Sequence, residues 1–359
     1  MFNWFIDKQK TSIPATTTVA VAALSELPIS EDEQIKQALA DMNLLFSGTQ
    51  RIAPQGSAEE EFASRFNAWA KDCRTTFAEL SFDLPTLPSS AVRLMSLMQN
   101  PDISSKEIAR TLQGDVVLTA RFLRMANSPV YRGTRQVDSV IVAIDRIGIA
   151  TLKGIVLALS LNSTVIKEKR LGAAASELWN HSISAGLAAQ ELAKRLHLNH
   201  ASAFTLGLMH DIGKIPTLIM LNTLRAAHPS VRPALLETLV EDNHCEIGMA
   251  LAEVWKMPGE VRLIAGCHHA VSTLEDTLIY INHMQPGTPL EEGRALAKLL
   301  GCVVLADRSL AALGLAREPG DLTVGDSGMA ADLGLSVKET MDYLRTLPSI
   351  IKESNLKEL

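Results

Sequence analysis

The chain has 359 residues, of which 47% are hydrophobic and only 4% aromatic, and a formal net charge of −6. That length and apolar content suffice for a sizeable packed core, and the scarcity of aromatics beside abundant Ala and Leu favours helix over sheet, so an all-α chain is expected. The negative balance, with no dense Lys/Arg block, offers no basic field to nucleic-acid phosphates and excludes direct nucleic-acid binding from the expected functions.

The start, MFNWFIDKQK, lacks the basic-then-apolar order of a secretory leader. No run reaches the roughly 20 apolar residues that cross a bilayer, since VIVAIDRIGIATLKGIVLALSL is interrupted by Asp145, Arg146 and Lys153, so no transmembrane segment is expected. Cys73, Cys245, Cys267 and Cys302 show no CxxC spacing, which suggests reduced thiols in a cytoplasm. Residues 1–30 read as a tail, because TSIPATTTVAVAALSELPIS mixes Thr, Ser, Pro and small residues without a helical period.

A helical extension over 31–80 follows. It holds a helix at 31–47 with Ser30 and Glu33 in capping-box spacing, and a second at 58–80 with Phe62, Phe66, Trp69 and Phe77 on one face. Pro85 and Pro88 break the pattern, and Ser89 or Ser90 opens a helix through Met98. Ser104 and Glu107 form a further capping box, Gly114 ends that helix, and helices are expected at 116–127, 138–148 and 150–167. Others are expected near 173–197, 201–211, 231–241, 244–255, 258–269, 273–283, 291–313 and 336–355, the last opened by Ser336 and Glu339. REPGDLTVGDSG, 317–328, reads as an exposed loop.

His181, His210, His244, His268 and His269 crowd into one stretch, 181–269. Imidazole and carboxylate bind zinc, iron or manganese, and a metal centre in a helical bundle draws its ligands from several helices. LGLMHDIGKIP, 206–216, sets His210 and Asp211 side by side in an apolar helical run stopped by Gly213, Lys214 and Pro216. Asp307, in the apolar CVVLADRSL, needs a cation if buried, and a metal, a protonated His or Arg308 could supply it. Taken singly, each histidine is also explained as a hydrogen-bonded core residue. Cys245 follows His244 and Cys267 precedes His268, but helix neighbours point about 100° apart, so if the histidines face a centre the cysteines should face away as core filling.

LGLMHDIGKIP resembles the His-Asp signature of the HD superfamily of metal-dependent phosphohydrolases. That family's pattern of a His, a His-Asp pair and a distant Asp is matched by His181, His210, Asp211 and Asp307. A closer resemblance covers residue 82 to about 283. LPTLPSSAVRLMSLMQNPDISSKEIARTLQGDVVLTARFLRMANSPVYR, SVIVAIDRIGIATLKGIVLALSL, LWNHSISAG, LGLMHDIGKI and EDNHCEIGMALAEVWKMPGEVRLIAGCHH are similar, in order, to the HDOD domain, a helical HD-related module of bacterial signalling proteins. Where that family usually has Asp-Pro, this chain has Asp115-Val116. The resemblance implies an all-α helical bundle of the HD/HDOD type with an N-terminal helical extension. The implied HDOD domain spans 81–285, its HD-like core starts at about 173, and a C-terminal helical extension, 286–359, returns Asp307 to that core.

The same residues are similar to HD-GYP phosphodiesterases, which cleave cyclic di-GMP at a centre of two or three metals. Their additional histidines correspond to His244, His268 and His269, and their phosphate-meeting lysine to Lys214. Glu177, one turn before His181, stands where some of those enzymes place another ligand, although an exposed acidic residue is the plainer reading. After His269 the chain reads AVSTLEDTLIYIN instead of the Gly-Tyr-Pro loop that helps shape their substrate pocket. The resemblance implies one or two divalent ions (Fe, Mn or Zn) on His181, His210, Asp211, His244, His268, His269 and Asp307, with Asp211 and Lys214 catalytic only if there is turnover. Three functions stay open. The first expectation is a non-catalytic bacterial signal-transduction regulator that binds a signalling protein or a nucleotide. The others are a metal-dependent phosphohydrolase of a nucleotide or cyclic dinucleotide, and a metal-free structural adaptor satisfied by hydrogen bonds and Arg308.

Overall fold

The computed structural model describes residues 52–78, 93–94, 96–97, 100, 102–127, 131, 136–149, 151–152, 154–156, 159, 174–225, 227–255, 257–313 and 324–353, and among them every regular element is a helix. The tail 1–30, the helix 31–47 with Ser30 and Glu33, the break at Pro85 and Pro88 with Ser89 and Ser90, and part of the helix 150–167 lie outside the described residues. No helix among those described is long and apolar enough to cross a membrane.

The helix expected at 58–80 is two, α1 (Gly56–Lys71) and α2 (Cys73–Ala78). The Asp72 amide turns back to the Trp69 carbonyl oxygen at 3.1 Å, a tight closure that ends the first helix. Phe62, Phe66 and Phe77 are fully buried, and Trp69 bridges them, 5.6 Å from the Phe66 ring and 6.1 Å from the Phe77 ring. The pair packs on α8 (Lys214–Arg225) and α9 (Pro233–Val254). Glu59 locks it there, accepting hydrogen bonds from the Gln55 amide (2.8 Å), the Arg232 amide (3.0 Å) and the Arg232 Nε (2.9 Å) and Nη2 (2.7 Å).

Next come α3 (Ser105–Gln113), α4 (Val116–Ala126) and α5 (Val140–Ile147), which pack on one another. The Ser104–Glu107 capping box forms as expected. Asp115 caps α4 by accepting from the Leu118 amide at 3.0 Å, so the Asp-Val sequence starts the helix without a proline. Asn127 clasps Val137 in both directions, donating Nδ2 to its carbonyl oxygen (2.7 Å) and accepting its amide (2.8 Å), which fixes the α4–α5 connection.

The second half contains α6 (Ala174–Arg195), α7 (His200–Met209), α8, α9, α10 (Gly259–Cys267), α11 (Leu274–Met284), α12 (Leu290–Ala312), α13 (Val324–Asp332) and α14 (Val337–Glu353). α6 lies along α7 and α12 at the centre. Glycine sets that closeness: a Cβ on Gly207 would stand 2.7 Å from the Ala185 carbonyl oxygen, and one on Gly186 2.9 Å from that of Phe204. Tyr343 of α14 closes the outer side, its buried hydroxyl donating to the Ala188 carbonyl oxygen at 3.1 Å.

Several expectations need correction. The helices at 231–241 and 244–255 are the single α9, because Glu241, Asp242 and Asn243 interrupt the apolar period but contain neither Gly nor Pro. Asn243 keeps to the helix, donating Nδ2 to the Leu239 carbonyl oxygen at 2.9 Å. α8 was not anticipated. Pro216 falls at its third position, where the missing amide has no helical acceptor in any case, so proline starts the helix instead of stopping it. α13 occupies 324–332, including residues read as loop, and ends at Gly334 with φ +84°, where the Leu335 amide reaches back to the Ala330 carbonyl oxygen at 2.9 Å.

Candidate metal centre

α7 ends at Met209, so His210 and Asp211 stand in the turn after it and not inside a helix. His181 comes from α6, His244 from α9, His268 and His269 from the turn after α10, and Asp307 from α12. Gly213 allows the assembly. A Cβ there would overlap the His244 carbonyl oxygen and lie 2.5 Å from the Gly248 amide, so only glycine lets the His-Asp turn rest directly on α9.

The donors converge in two groups. In the first, His181 Nε2 lies 3.2 Å from His210 Nε2, 3.2 Å from Asp211 Oδ2 and 3.2 Å from Asp307 Oδ1. His210 Nε2 is 3.4 Å from each of those oxygens. In the second, His244 Nε2 and His268 Nε2 are 3.1 Å apart and lie 3.3 and 3.4 Å from Asp211 Oδ1. The two oxygens of Asp211 thus face different groups. His210, Asp211, His244 and His268 are each 1% exposed, whereas the His269 side chain, 44% exposed, stands at the rim.

The ring protons are fixed by backbone. Nδ1 of His210 donates to the Gly207 carbonyl oxygen (2.6 Å), that of His244 to Val240 (2.8 Å) and that of His268 to Ile264 (3.0 Å). A carbonyl oxygen only accepts, so Nδ1 carries the hydrogen and Nε2 of each neutral ring is a bare lone pair. His244 and His268 therefore point two lone pairs at each other across 3.1 Å. Such a contact needs a proton or a metal ion between them. Both oxygens of Asp211 lack a hydrogen bond of good geometry despite four imidazole nitrogens within 3.4 Å, as when donors aim at common points instead of at one another. Separations of 3.2–3.4 Å among His181, His210 and Asp211 match the edges of a tetrahedron about one ion, roughly 3.3 Å for bonds of about 2.0–2.1 Å, and Asp307 stands at the same distances from the two imidazoles.

Without metal, the facing acidic groups favour charge on three of these rings. Burial opposes a charged His181, but Asp211 and Asp307 outweigh it and raise its pKa to about 9. Burial likewise opposes charge on His268, yet Cys245 and Asp211 push it to about 10, and His244 rises well above its ordinary value for the same reasons. Burial would raise the carboxyls; Lys214 and His210 hold Asp211 well below the usual range, as His210 and His181 do for Asp307.

All seven expected donor residues come to one region, and two further residues join them. Cys245 corrects the expectation that it faces away: its Sγ is 3.6 Å from His244 Nε2 and 3.9 Å from His268 Nε2. The 100° rule fixes where side chains leave the helix, not where their tips end. The His244 ring folds back toward the Val240 carbonyl one turn away, and His268 arrives from α10 within reach of the thiol. Cys267 does behave as core filling, fully buried and outside both groups. Glu241 was not singled out. It lies 3.4 Å from Lys214 Nζ and 3.7 Å from His269 Nε2, and its place one turn before His244 was the available signal. Lys214 Nζ also meets Asp211 Oδ2 at 3.0 Å. Arg308 donates to the Val271 carbonyl oxygen at 2.8 Å, and the two histidines lie 3.2 and 3.4 Å from Asp307 Oδ1. Glu177 is half-buried, not exposed, and stands outside both donor groups. A narrow apolar cleft reaches Asp211 between Leu178, Trp179, Leu208, Ile212 and Ile215, with Ser182 at its wall.

The sequence profile of the HDOD domain matches residues 84–271. An uncharacterized protein of Treponema pallidum (strain Nichols) is 26% identical over 234 residues, 58% of this chain and 44% of that protein, so the match spans less than half of the relative. Among solved structures, an HDOD domain protein of unknown function from Geobacter sulfurreducens superposes with a TM-score of 0.58 at 23% identity, covering 79% of this chain and 97% of that one. A Shewanella amazonensis SB2B protein, provisionally described as a metal-dependent phosphohydrolase, gives 0.54 at 22% identity over 79% of this chain and 99% of its own. A Marinobacter aquaeolei VT8 protein, provisionally described as a signal transduction protein, gives 0.52 at 20% identity over 94% of this chain and 69% of its own. At such identities the likeness is one of fold.

Proposed function

The chain belongs to the HDOD family, and from that premise we propose that it is a signal-transduction regulator whose His-Asp centre would hold divalent ions, with Asp211 offering one oxygen to each donor group. The observation that carries this reading is the pair of Nε2 lone pairs of His244 and His268 at 3.1 Å, with both Nδ1 hydrogens committed to backbone carbonyls. His181, His210, Asp211 and Asp307 would hold one ion; His244, His268, His269 and the second oxygen of Asp211 would hold the other. Five chain segments meet at that point, so loading or emptying it changes how α6, α9, α10 and α12 are held together. A protein or nucleotide partner would read that change. The Leu178, Trp179, Leu208, Ile212 and Ile215 cleft suits an apolar group better than a charged phosphodiester.

A second reading, phosphoester hydrolysis, is favoured by the two-sided placement of Asp211 and by Lys214 beside it. When bound, divalent ions act as Lewis acids and lower the pKa of water. Lys214 would offset phosphate charge, and the buried histidines, held at Nδ1 by carbonyls, would keep the donors in register.

Metal analysis of the purified full chain beside a His210→Ala/Asp211→Ala variant tests the centre. Two ions per chain, lost together in the variant, are expected; a metal-free parent that takes up no iron, manganese or zinc overturns the proposal and leaves the adaptor. Incubation of the loaded chain with bis-p-nitrophenyl phosphate and cyclic di-GMP separates the two readings. No turnover is expected, and turnover absent from the variant establishes the hydrolase instead.

A further inference from the structure

We propose that Cys245 is a metal ligand, its thiolate joining the second donor group of His244, His268, His269 and Asp211 Oδ1 to make that ion position a sulfur-containing site that prefers zinc to manganese. This rests on the metal-centre reading above and adds a donor that the His-Asp pattern does not contain. Around one tetrahedral ion, nitrogen and oxygen donors at about 2.0–2.1 Å stand roughly 3.3 Å apart, and a sulfur at about 2.3 Å stands roughly 3.6 Å from each of them. The measured separations are 3.1 Å between the imidazole nitrogens and 3.3 and 3.4 Å from them to Asp211 Oδ1. From Sγ they are 3.6 Å to His244 Nε2 and 3.9 Å to His268 Nε2. Sulfur thus stands farther out than nitrogen and oxygen, at the tetrahedral separation from His244 Nε2 and about 0.3 Å beyond it from His268 Nε2.

The first group offers two imidazoles and two carboxylates and no sulfur. Thiolate is the softer donor and favours zinc or cobalt over manganese, whereas carboxylate-rich sets accept manganese. The centre is therefore chemically uneven, with Asp211 joining a harder position to a softer one. Binding replaces the S–H bond of Cys245 by a sulfur–metal bond, and the proton leaves to solvent. His269, a member of the same cluster, keeps its side chain at the open rim.

The test is cobalt loading of the full chain after removal of its metals by a chelator. The intact protein is expected to develop the near-ultraviolet thiolate-to-cobalt charge-transfer band. Cys245→Ser and Cys245→Ala should bind cobalt without that band, while Cys267→Ser and His181→Ala keep it. Zinc-over-manganese preference, read by competition, should fall about tenfold or more in Cys245→Ser, in line with the weight of a single ligand-shell change. A band that persists in Cys245→Ser, or cobalt bound by the intact chain with no band, overturns the assignment of Cys245 and leaves the metal centre standing. Failure of the intact chain to bind cobalt at all overturns both.

Discussion

The helices before residue 160 and those after 173 use their polar residues in opposite ways. In the first set Ser104 and Asp115 cap helices, Asn127 clasps Val137, and Glu59 gathers the Gln55 amide with the Arg232 amide and guanidinium. Each of these polar groups answers a backbone group or an opposite charge. In the second set His210, His244, His268 and Asp211 are buried against one another with His181 and Asp307 half-buried beside them, lone pairs facing lone pairs. The first arrangement is complete as it stands, and the second is complete only with cations. Local polar satisfaction builds a scaffold; its deliberate lack marks a site.

Breaking the joint of the second arrangement should have the largest effect. Asp211→Asn removes the carboxylate both groups share, so both ions should be lost together, whereas His181→Ala should lose one. At metal concentrations about a thousandfold above the dissociation constant, the intact chain gains about 4 kcal/mol for each ion bound. Its urea midpoint should therefore drop on chelation, and that of Asp211→Asn should not move. A midpoint equally sensitive to chelator in the variant would show that the ions lie elsewhere. A smaller disturbance is Gly213→Ala, which pushes the His-Asp turn off α9 without deleting a donor. Overpacking of this kind costs about 2 kcal/mol, and metal affinity should fall with it. Unchanged affinity would mean that the turn does not set the geometry.

The contrast also explains how much could be read from sequence. Caps were legible because their chemistry is local: Ser104 with Glu107 and Ser336 with Glu339 need only a three-residue spacing. The histidines and Asp307 were legible through the resemblance, which carries long-range pairing that periodicity cannot. Cys245 and Glu241 fell between the two. Their roles depend on where α10 and the Lys214 side chain arrive, and a rule about directions on one helix contains no information about its neighbours. α8 was missed because Pro216 was weighed as a breaker without asking which amides a helix start can spare.

On the scaffold side, Glu59→Gln should sharpen the comparison through pH. The Arg232 hydrogen bond, opposed by burial, leads the causes that lower the Glu59 pKa from 4.5 to about 2. A depressed folded pKa gives stability that is fully present above the unfolded value and is lost as pH falls from about 4.5 towards 2. The variant should unfold more easily at neutral pH by about 2 kcal/mol, the scale of hydrogen bonds to a charged group. The gap to the parent should close across that acid window, with metal content at neutral pH unchanged. A gap that stays constant with pH would mean that the carboxylate's charge contributes nothing.

The smallest effect separates one histidine from the rest. His197 lies in the core half but has a backbone role: it sits at φ +53° after α6, where its amide reaches the Lys194 carbonyl oxygen (3.2 Å) and the Leu198 amide that of Ala193 (2.8 Å). This is the glycine position of a helix end. A side chain there costs about 1–2 kcal/mol in the left-handed region. Glycine removes that cost but leaves a freer unfolded chain, worth about 0.4–1 kcal/mol in the other direction. His197→Gly should thus raise stability by about 0.5–1 kcal/mol, read as a higher urea midpoint with unchanged slope and unchanged metal content. A lower midpoint would show that the exposed imidazole stabilises the fold through contacts of its own. Loss of metal would mean that the distinction between backbone-serving and cation-serving histidines is drawn in the wrong place.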